Sequence, residues 1–287
     1  MIIAVVGPTG VGKTKMSIEL AKEYNAAIIN CDAVQIYKYL DIGSAKVCED
    51  EKEGIKHYLL DIKNPNENYT VKDYQIDARK IIGNNKDKNL IFCGGTGLYL
   101  CAALMDYRFY EDEESCENYD NLDNEELYKL ALKKDKSCPI DKNNRVRLIR
   151  FLNKKNIEVV EPKLLYENVL FIGLTTDREN LYKIINKRVD LMFENGLLEE
   201  VKNLYKKYPN SRVLKSAIGY KEVIKYLNNE ITLEECIEEI KKLSRHYAKR
   251  QYTWFNNKMN IKWFDVDYNN FENTISNVKK YINNCIK

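Results

Sequence analysis

The chain has 287 residues, of which 44% are hydrophobic and 31% charged, enough apolar material for one large domain or a core with a smaller insertion. No run of about eighteen apolar residues occurs, and the first residues already read as a strand, so no membrane span or signal peptide is expected and a cytoplasmic protein is. Eight cysteines lack any CxxC pair and only two histidines are present, which speaks for reduced core thiols and against a zinc site.

The apolar run Met1 to Val6 breaks into Gly7-Pro8-Thr9-Gly10-Val11-Gly12-Lys13-Thr14. That octet matches the phosphate-loop pattern GxxxxGK[ST], after a strand and before a helix whose first residues are Lys15 to Lys22. Glycines let the backbone N–H groups wrap a phosphate chain at a helix N-terminus. Lys13 adds a compact positive charge, and the Thr14 hydroxyl is a candidate magnesium ligand. A di- or triphosphate is the expected ligand. Ala26 to Cys31 reads as a second strand ending at Asp32, and Ile55 to Asp61 as a third. Thr70 caps a helix from Val71 to Ile82. Leu90 to Cys93 is a fourth strand, running into Gly94-Gly95-Thr96-Gly97. Alternating strands and helices predict an α/β fold with a phosphate-loop NTPase-like parallel sheet, its ligands beyond the carboxyl ends of the strands.

The rhythm then changes. Ten acids face only Arg108 between Asp106 and Glu126, and the next segment, Lys129 to Arg150, is basic. A short helix from Asn124 to Lys134 predicts a small helical insertion over 109–142, with 1–108 and 143–287 forming the core. The rest is read as largely helical: Asn144 to Asn153, Arg178 to Lys207 and Thr232 to Asn256, interrupted by a strand from Val169 to Leu174. The last helix opens with a Thr232/Glu235 capping box. Its apolar stripe runs from Cys236 to Trp254, and Lys241, Arg245 and Lys249 form a basic outer ridge. That ridge is as compatible with a solvated face as with contact to an extended polyanion.

No acid follows Cys93, where phosphoryl-transfer enzymes usually place one, and no NKxD signature is present. Asp32 at a strand end is compatible with a helix-capping or magnesium-shell role, and also with orienting an acceptor hydroxyl, as in a small-molecule kinase.

Further motifs follow the phosphate loop in order: Asn30 to Tyr37 with Leu40 to Lys46, His57 to Ile62, Tyr69 to Tyr74, and Gly94 to Tyr99. Then come Asn143 to Arg150, Arg188-Val189-Asp190 with Gly196-Leu197, Ala217 to Glu222, and Tyr247 to Phe255. This series resembles the tRNA dimethylallyltransferases, also called tRNA isopentenyltransferases, in their bacterial form. The chain departs from the family in carrying Asn30-Cys31 before the aspartate, Asn144 in place of a common aspartate, and a short, acidic 109–142 segment.

The resemblance implies transfer of a dimethylallyl group from its diphosphate to the adenosine just 3′ of the tRNA anticodon, with Mg2+ as cofactor. It implies Asp32 as the base for the adenine amine, Thr96 as a positioning group and Arg188 as a diphosphate ligand. Asp32, Ala33, Val34 and Gln35, with Thr96, are expected to meet a base flipped out of the anticodon loop. Val146, Arg147, Leu148, Ile149 and Arg150, and Ser216, Ala217, Ile218, Gly219, Tyr220 and Lys221, match segments that touch RNA. Arg147 and Arg150 share one helical face suited to phosphates, an arrangement that surface salt bridges also produce. A relative that prenylates free AMP or ATP is the alternative within the same chemistry. A monomer is expected.

Overall fold

A computed structural model describes residues 1–109, 118–138, 140–153 and 163–286. The chain divides into a larger unit, Met1–Tyr107 with Leu164–Lys287, and a smaller one, Arg108–Lys163.

The larger unit is built on six parallel strands in the order β3-β2-β4-β1-β5-β6. These are β1 (Ile2–Val6), β2 (Ala26–Asn30), β3 (His57–Tyr58), β4 (Asn89–Cys93), β5 (Val169–Thr175) and β6 (Lys262–Asp265). β1 lies at the centre, pairing Ile2 to Val5 with Leu90 to Cys93 and Ile2 to Val6 with Val169 to Gly173. All five of its residues are buried, as expected of a strand covered on both faces. One core layer gathers Ala4, Val6, Ile29 and Phe92 with Tyr74, Leu100 and Tyr220; the other gathers Ile3, Val5, Ile28 and Ile91 with Met16, Leu20 and Val278.

The helices of this unit are α1 (Lys13–Glu23), α2 (Glu49–Lys52), α3 (Val71–Asn84) and α4 (Gly97–Leu104). After the smaller unit come α7 (Arg178–Glu194), α8 (Leu197–Lys207), α9 (Tyr220–Leu227), α10 (Leu233–Lys258) and α11 (Phe271–Ile286). Thr70 and Thr232 form the capping boxes of α3 and α10, each accepting from the backbone N–H three residues on.

Several expected elements are corrected. The third strand shrinks to His57–Tyr58, because Leu59 and Asp61 take left-handed φ values of 58° and 56°. The single helix expected over Arg178 to Lys207 is two, broken at Gly196 with φ 97°. The basic ridge of α10 is not a uniform solvated face. Lys241 Nζ lies 2.8 Å from Asp190 of α7, and Arg245 Nη1 donates to Asn186 Oδ1 of α7 at 2.6 Å. Of the three, Lys249 is exposed, while Lys241 and Arg245 are half-buried.

The smaller unit contains α5 (Asn124–Lys134) and α6 (Arg145–Asn153), joined through a core of Leu127, Ala131, Cys138 and Leu148. Arg145 donates to the carbonyls of Leu122, Tyr119 and Asp120. Because α6 packs on α5, the expected insertion boundary at residue 142 is corrected to 163. Leu148 is the buried residue of α6, whereas Val146 is 61% exposed. Five of the ten acids of the acidic run, those within residues 110–117, lie outside the described residues.

Candidate active site

The phosphate loop leaves β1 and enters α1 with Gly10 and Gly12 at φ 90° and 84°, conformations that cost a side-chain-bearing residue. Lys13 is half-buried, and its ammonium donates to the Pro8 carbonyl at 2.7 Å. Burial lowers its pKa to about 8; Arg188 lowers it further, while Cys93 and Asp32 oppose the shift. Arg188 on α7 donates through Nη1 to Thr9 Oγ1 at 2.8 Å. Burial also pulls the Arg188 pKa down, with the Asp32 charge acting the other way.

Asp32 follows β2 and is positioned by its own turn. Its backbone N–H donates to Asn30 Oδ1 at 3.1 Å, and its Oδ1 accepts from the Val34 N–H at 2.9 Å. Asn30 is buried and donates to the Leu59 and Asp32 carbonyls. Thr96 follows β4, and its Oγ1 accepts from the Ala33 N–H at 3.1 Å. The phosphate loop, Asp32 and Thr96 thus stand at the carboxyl ends of three adjacent strands, where a parallel sheet opens its ligand crevice.

A cavity of about 640 Å3 opens in the larger unit, lined by Thr9, Asp32, Ala33, Val34 and Arg188 and by Ser216, Ala217, Ile218, Gly219 and Lys221. Its size is that of a small-molecule site. Ile185, Val189, Met192 and Ile240 supply an apolar portion. Its charged lining is Arg188, Arg212, Lys221 and Arg250 against the single carboxylate of Asp32.

Some expected site residues stand elsewhere. Gln35 turns away from this cavity and donates to the Ser44 and Ala45 carbonyls. Tyr220 is fully buried, its hydroxyl donating to Glu200 Oε1 at 2.7 Å. Thr14 lines a separate, small cavity of mixed character, with Asn30, Gln35 and His57 beside Ile28 and Val47. The segment Val146 to Arg150 belongs to the smaller unit, with Arg147 and Arg150 both exposed.

Other residues at the site were not singled out by sequence. Tyr37, Tyr69, Tyr99 and Tyr247 line the cavity, but 21 tyrosines in one chain gave no way to choose among them. Gln251 accepts from the Thr9 N–H and donates to the Gly95 carbonyl. Its only signal was its place inside the Tyr247 to Phe255 motif.

A family model described as IPP transferase matches residues 35–258. The chain belongs to the IPP transferase family. A tRNA dimethylallyltransferase of Fusobacterium nucleatum is 46% identical over 282 residues, covering 92% of this chain and 91% of that protein. One from Anoxybacillus flavithermus is 44% identical over 298 residues, covering 98% and 96%. Among solved structures, the tRNA isopentenylpyrophosphate transferase of Bacillus halodurans superposes with a TM-score of 0.77 at 38% identity, covering 99% of this chain and 95% of that one. A eukaryotic dimethylallyltransferase acting on tRNA superposes with a TM-score of 0.82 at 29% identity, covering 99% and 79%. As an IPP transferase the chain carries the phosphate-loop NTPase-like fold expected from its strand pattern. Among its described residues no helix is long and apolar enough to cross a membrane.

Proposed function

We propose that the chain transfers a dimethylallyl group from dimethylallyl diphosphate to the exocyclic N6 amine of the adenosine 3′-adjacent to the anticodon of tRNA, releasing pyrophosphate. The observation that carries this reading is the cavity lined by both Asp32 and the Thr9–Arg188 pair. One carboxylate and a cationic anion-holding group share a space large enough for a base and a short apolar chain. The names of the relatives point to the same reaction.

In this reaction the allylic C1–O bond breaks and the N6–C1 bond forms. The electron pair of the breaking bond leaves with the pyrophosphate, and Asp32 accepts the proton lost from N6. Lys13, Arg188 and the loop N–H groups stabilise the charge that grows on the leaving group. Thr96 fixes the backbone next to Asp32 through the Ala33 N–H. Residues Asp32 to Val34, with Ser216 to Gly219 and Lys221, receive the flipped base and its flanking nucleotides.

Magnesium suits the donor set. The Thr14 side chain is exposed at the start of α1, and this ion binds through one or two protein oxygens plus phosphate oxygens and water. It would be held by Thr14 and would neutralise part of the diphosphate charge. The active species is proposed to be a monomer working in the cytoplasm.

Four cations against one carboxylate favour a polyanionic acceptor over free AMP. Incubation with dimethylallyl diphosphate and unmodified tRNA, followed by nucleoside digestion and mass spectrometry, tests the reading. The prenyl group is expected on the adenosine next to the anticodon; prenylation at scattered adenosines, or none, overturns it.

A further inference from the structure

The Gln251 side chain bridges the phosphate loop directly to the loop carrying Thr96. Its Oε1 accepts from the Thr9 N–H at 3.0 Å, and its Nε2 donates to the Gly95 carbonyl at 3.0 Å. It is 5% exposed and comes from α10, 242 residues along the chain from Thr9. A backbone N–H can only donate and a carbonyl can only accept, so the amide orientation is forced. The approach is close: a Cβ added at Gly95 would stand 1.9 Å from Gln251 Nε2.

Each end of this bridge continues into a group with a chemical role. On one side, Thr9 Oγ1 receives the Arg188 guanidinium at 2.8 Å. On the other, Gly95 precedes Thr96, whose N–H donates to the Cys31 carbonyl at 3.0 Å and whose Oγ1 holds the Ala33 N–H. Cys31 and Ala33 flank Asp32. Four hydrogen-bonded steps therefore join the diphosphate-binding arginine to the backbone on either side of the base.

We propose that Gln251 is a positioning residue that sets the spacing between the diphosphate cradle and the Asp32–Thr96 side of the site. This rests on the transfer reaction proposed above. An in-line displacement needs its reacting atoms within about 3–3.5 Å, so a displacement of the loop by about 1 Å costs rate rather than affinity. Gln251 touches neither substrate in this scheme. Only a planar amide supplies an acceptor and a donor at this separation; a glutamate does so only when protonated.

Two variants test it, measured beside wild type under single-turnover conditions with tRNA and dimethylallyl diphosphate saturating. Gln251→Met is expected to lower the transfer rate at least tenfold, with both substrate dissociation constants within about twofold of wild type. Gln251→Glu places a carboxylate against the Gly95 carbonyl, so its rate divided by that of wild type should rise as pH falls from 8 to 5.5.

Taking this ratio removes the titration of the surrounding groups: Lys13 on α1, Arg188 on α7, Asp32 after β2, and Tyr247 and Arg250 on α10. A Met variant with a wild-type rate, or one whose diphosphate affinity falls in step with its rate, overturns the proposal. If the Met variant fails to fold, the Glu ratio decides, and a ratio flat with pH overturns the proposal. Wild-type transfer in the same assay separates failure here from failure of the reaction itself.

Discussion

Arg188 of α7 donates from Nη1 to the hydroxyl of Thr9 at 2.8 Å, fixing a helical arginine to the third residue of the phosphate loop. The guanidinium is thereby oriented before any diphosphate arrives. Such a donor acts mainly on charge that develops during C–O cleavage. Arg188→Ala should lower single-turnover transfer about 100-fold with tRNA already bound. A variant that alters only tRNA affinity would move Arg188 out of the diphosphate site.

Asp32→Asn keeps the Oδ1 that accepts from the Val34 N–H, so the turn after β2 should stay intact. The amide cannot take the N6 proton. Turnover should drop by about 100-fold or more, while tRNA and diphosphate dissociation constants stay near wild type. Near-normal turnover at saturating magnesium would remove the general-base assignment.

Lys13 has its pKa lowered to about 8, by burial first. Below that pH the ammonium form is present and diphosphate binding is at its plateau. As pH rises through about 8 the free enzyme loses this charge. The diphosphate, already largely ionised at pH 7, should then bind up to about tenfold more weakly per pH unit above 8. Titration calorimetry between pH 7 and 10 checks the slope, and Lys13→Arg should shift the break to higher pH. Affinity that stays level across this range contradicts the assignment.

Arg147 and Arg150 are exposed on α6, whereas Arg145 is spent on three carbonyls of its own unit. Replacing both with alanine should raise the tRNA dissociation constant and flatten its log–log salt dependence by roughly 1.4 units, at about 0.7 per lost phosphate contact. Circular dichroism should show an unchanged fold, since Leu148 carries the buried face. An unchanged salt slope in a folded variant makes these arginines incidental to RNA binding.

Glu200 on α8 accepts from the backbone N–H groups of Asp41, Ile42 and Gly43 at 3.1, 2.8 and 3.2 Å, and from the Tyr220 hydroxyl. Glu200→Ala strands these donors and should destabilise the fold by about 3 kcal/mol, read as a lower urea midpoint. Gly43 and Ser44 line the cavity, so substrate affinity should fall too. A midpoint within error of wild type would make the clasp energetically idle.

The phosphate loop, Asp32 and Thr96 were legible because each ends a short apolar strand, and strand ends in a parallel sheet are where ligands bind. α4 is not legible in the sequence after the Gly-Gly-Thr-Gly turn. Seven of its eight residues are buried, leaving no polar face to mark a helical period. β6 is four residues of mixed burial at a sheet edge, too short to carry an alternation. Lys241 and Arg245 read as an outer ridge, solvated or RNA-facing, because their spacing is visible in sequence, whereas their partners Asp190 and Asn186 on α7 are not. Gln251 stayed hidden for the same reason: its partners are backbone atoms far away in the chain.

The most direct measurement is a side-by-side assay of the wild-type protein with dimethylallyl diphosphate and either unmodified tRNA or AMP. It follows pyrophosphate and prenylated adenosine together. One pyrophosphate should appear for each prenylated adenosine in tRNA, with kcat/KM for AMP lower by at least 1,000-fold on the order expected when remote binding contacts are lost. Comparable kcat/KM for AMP, or pyrophosphate released without prenylated RNA, would contradict transfer to tRNA.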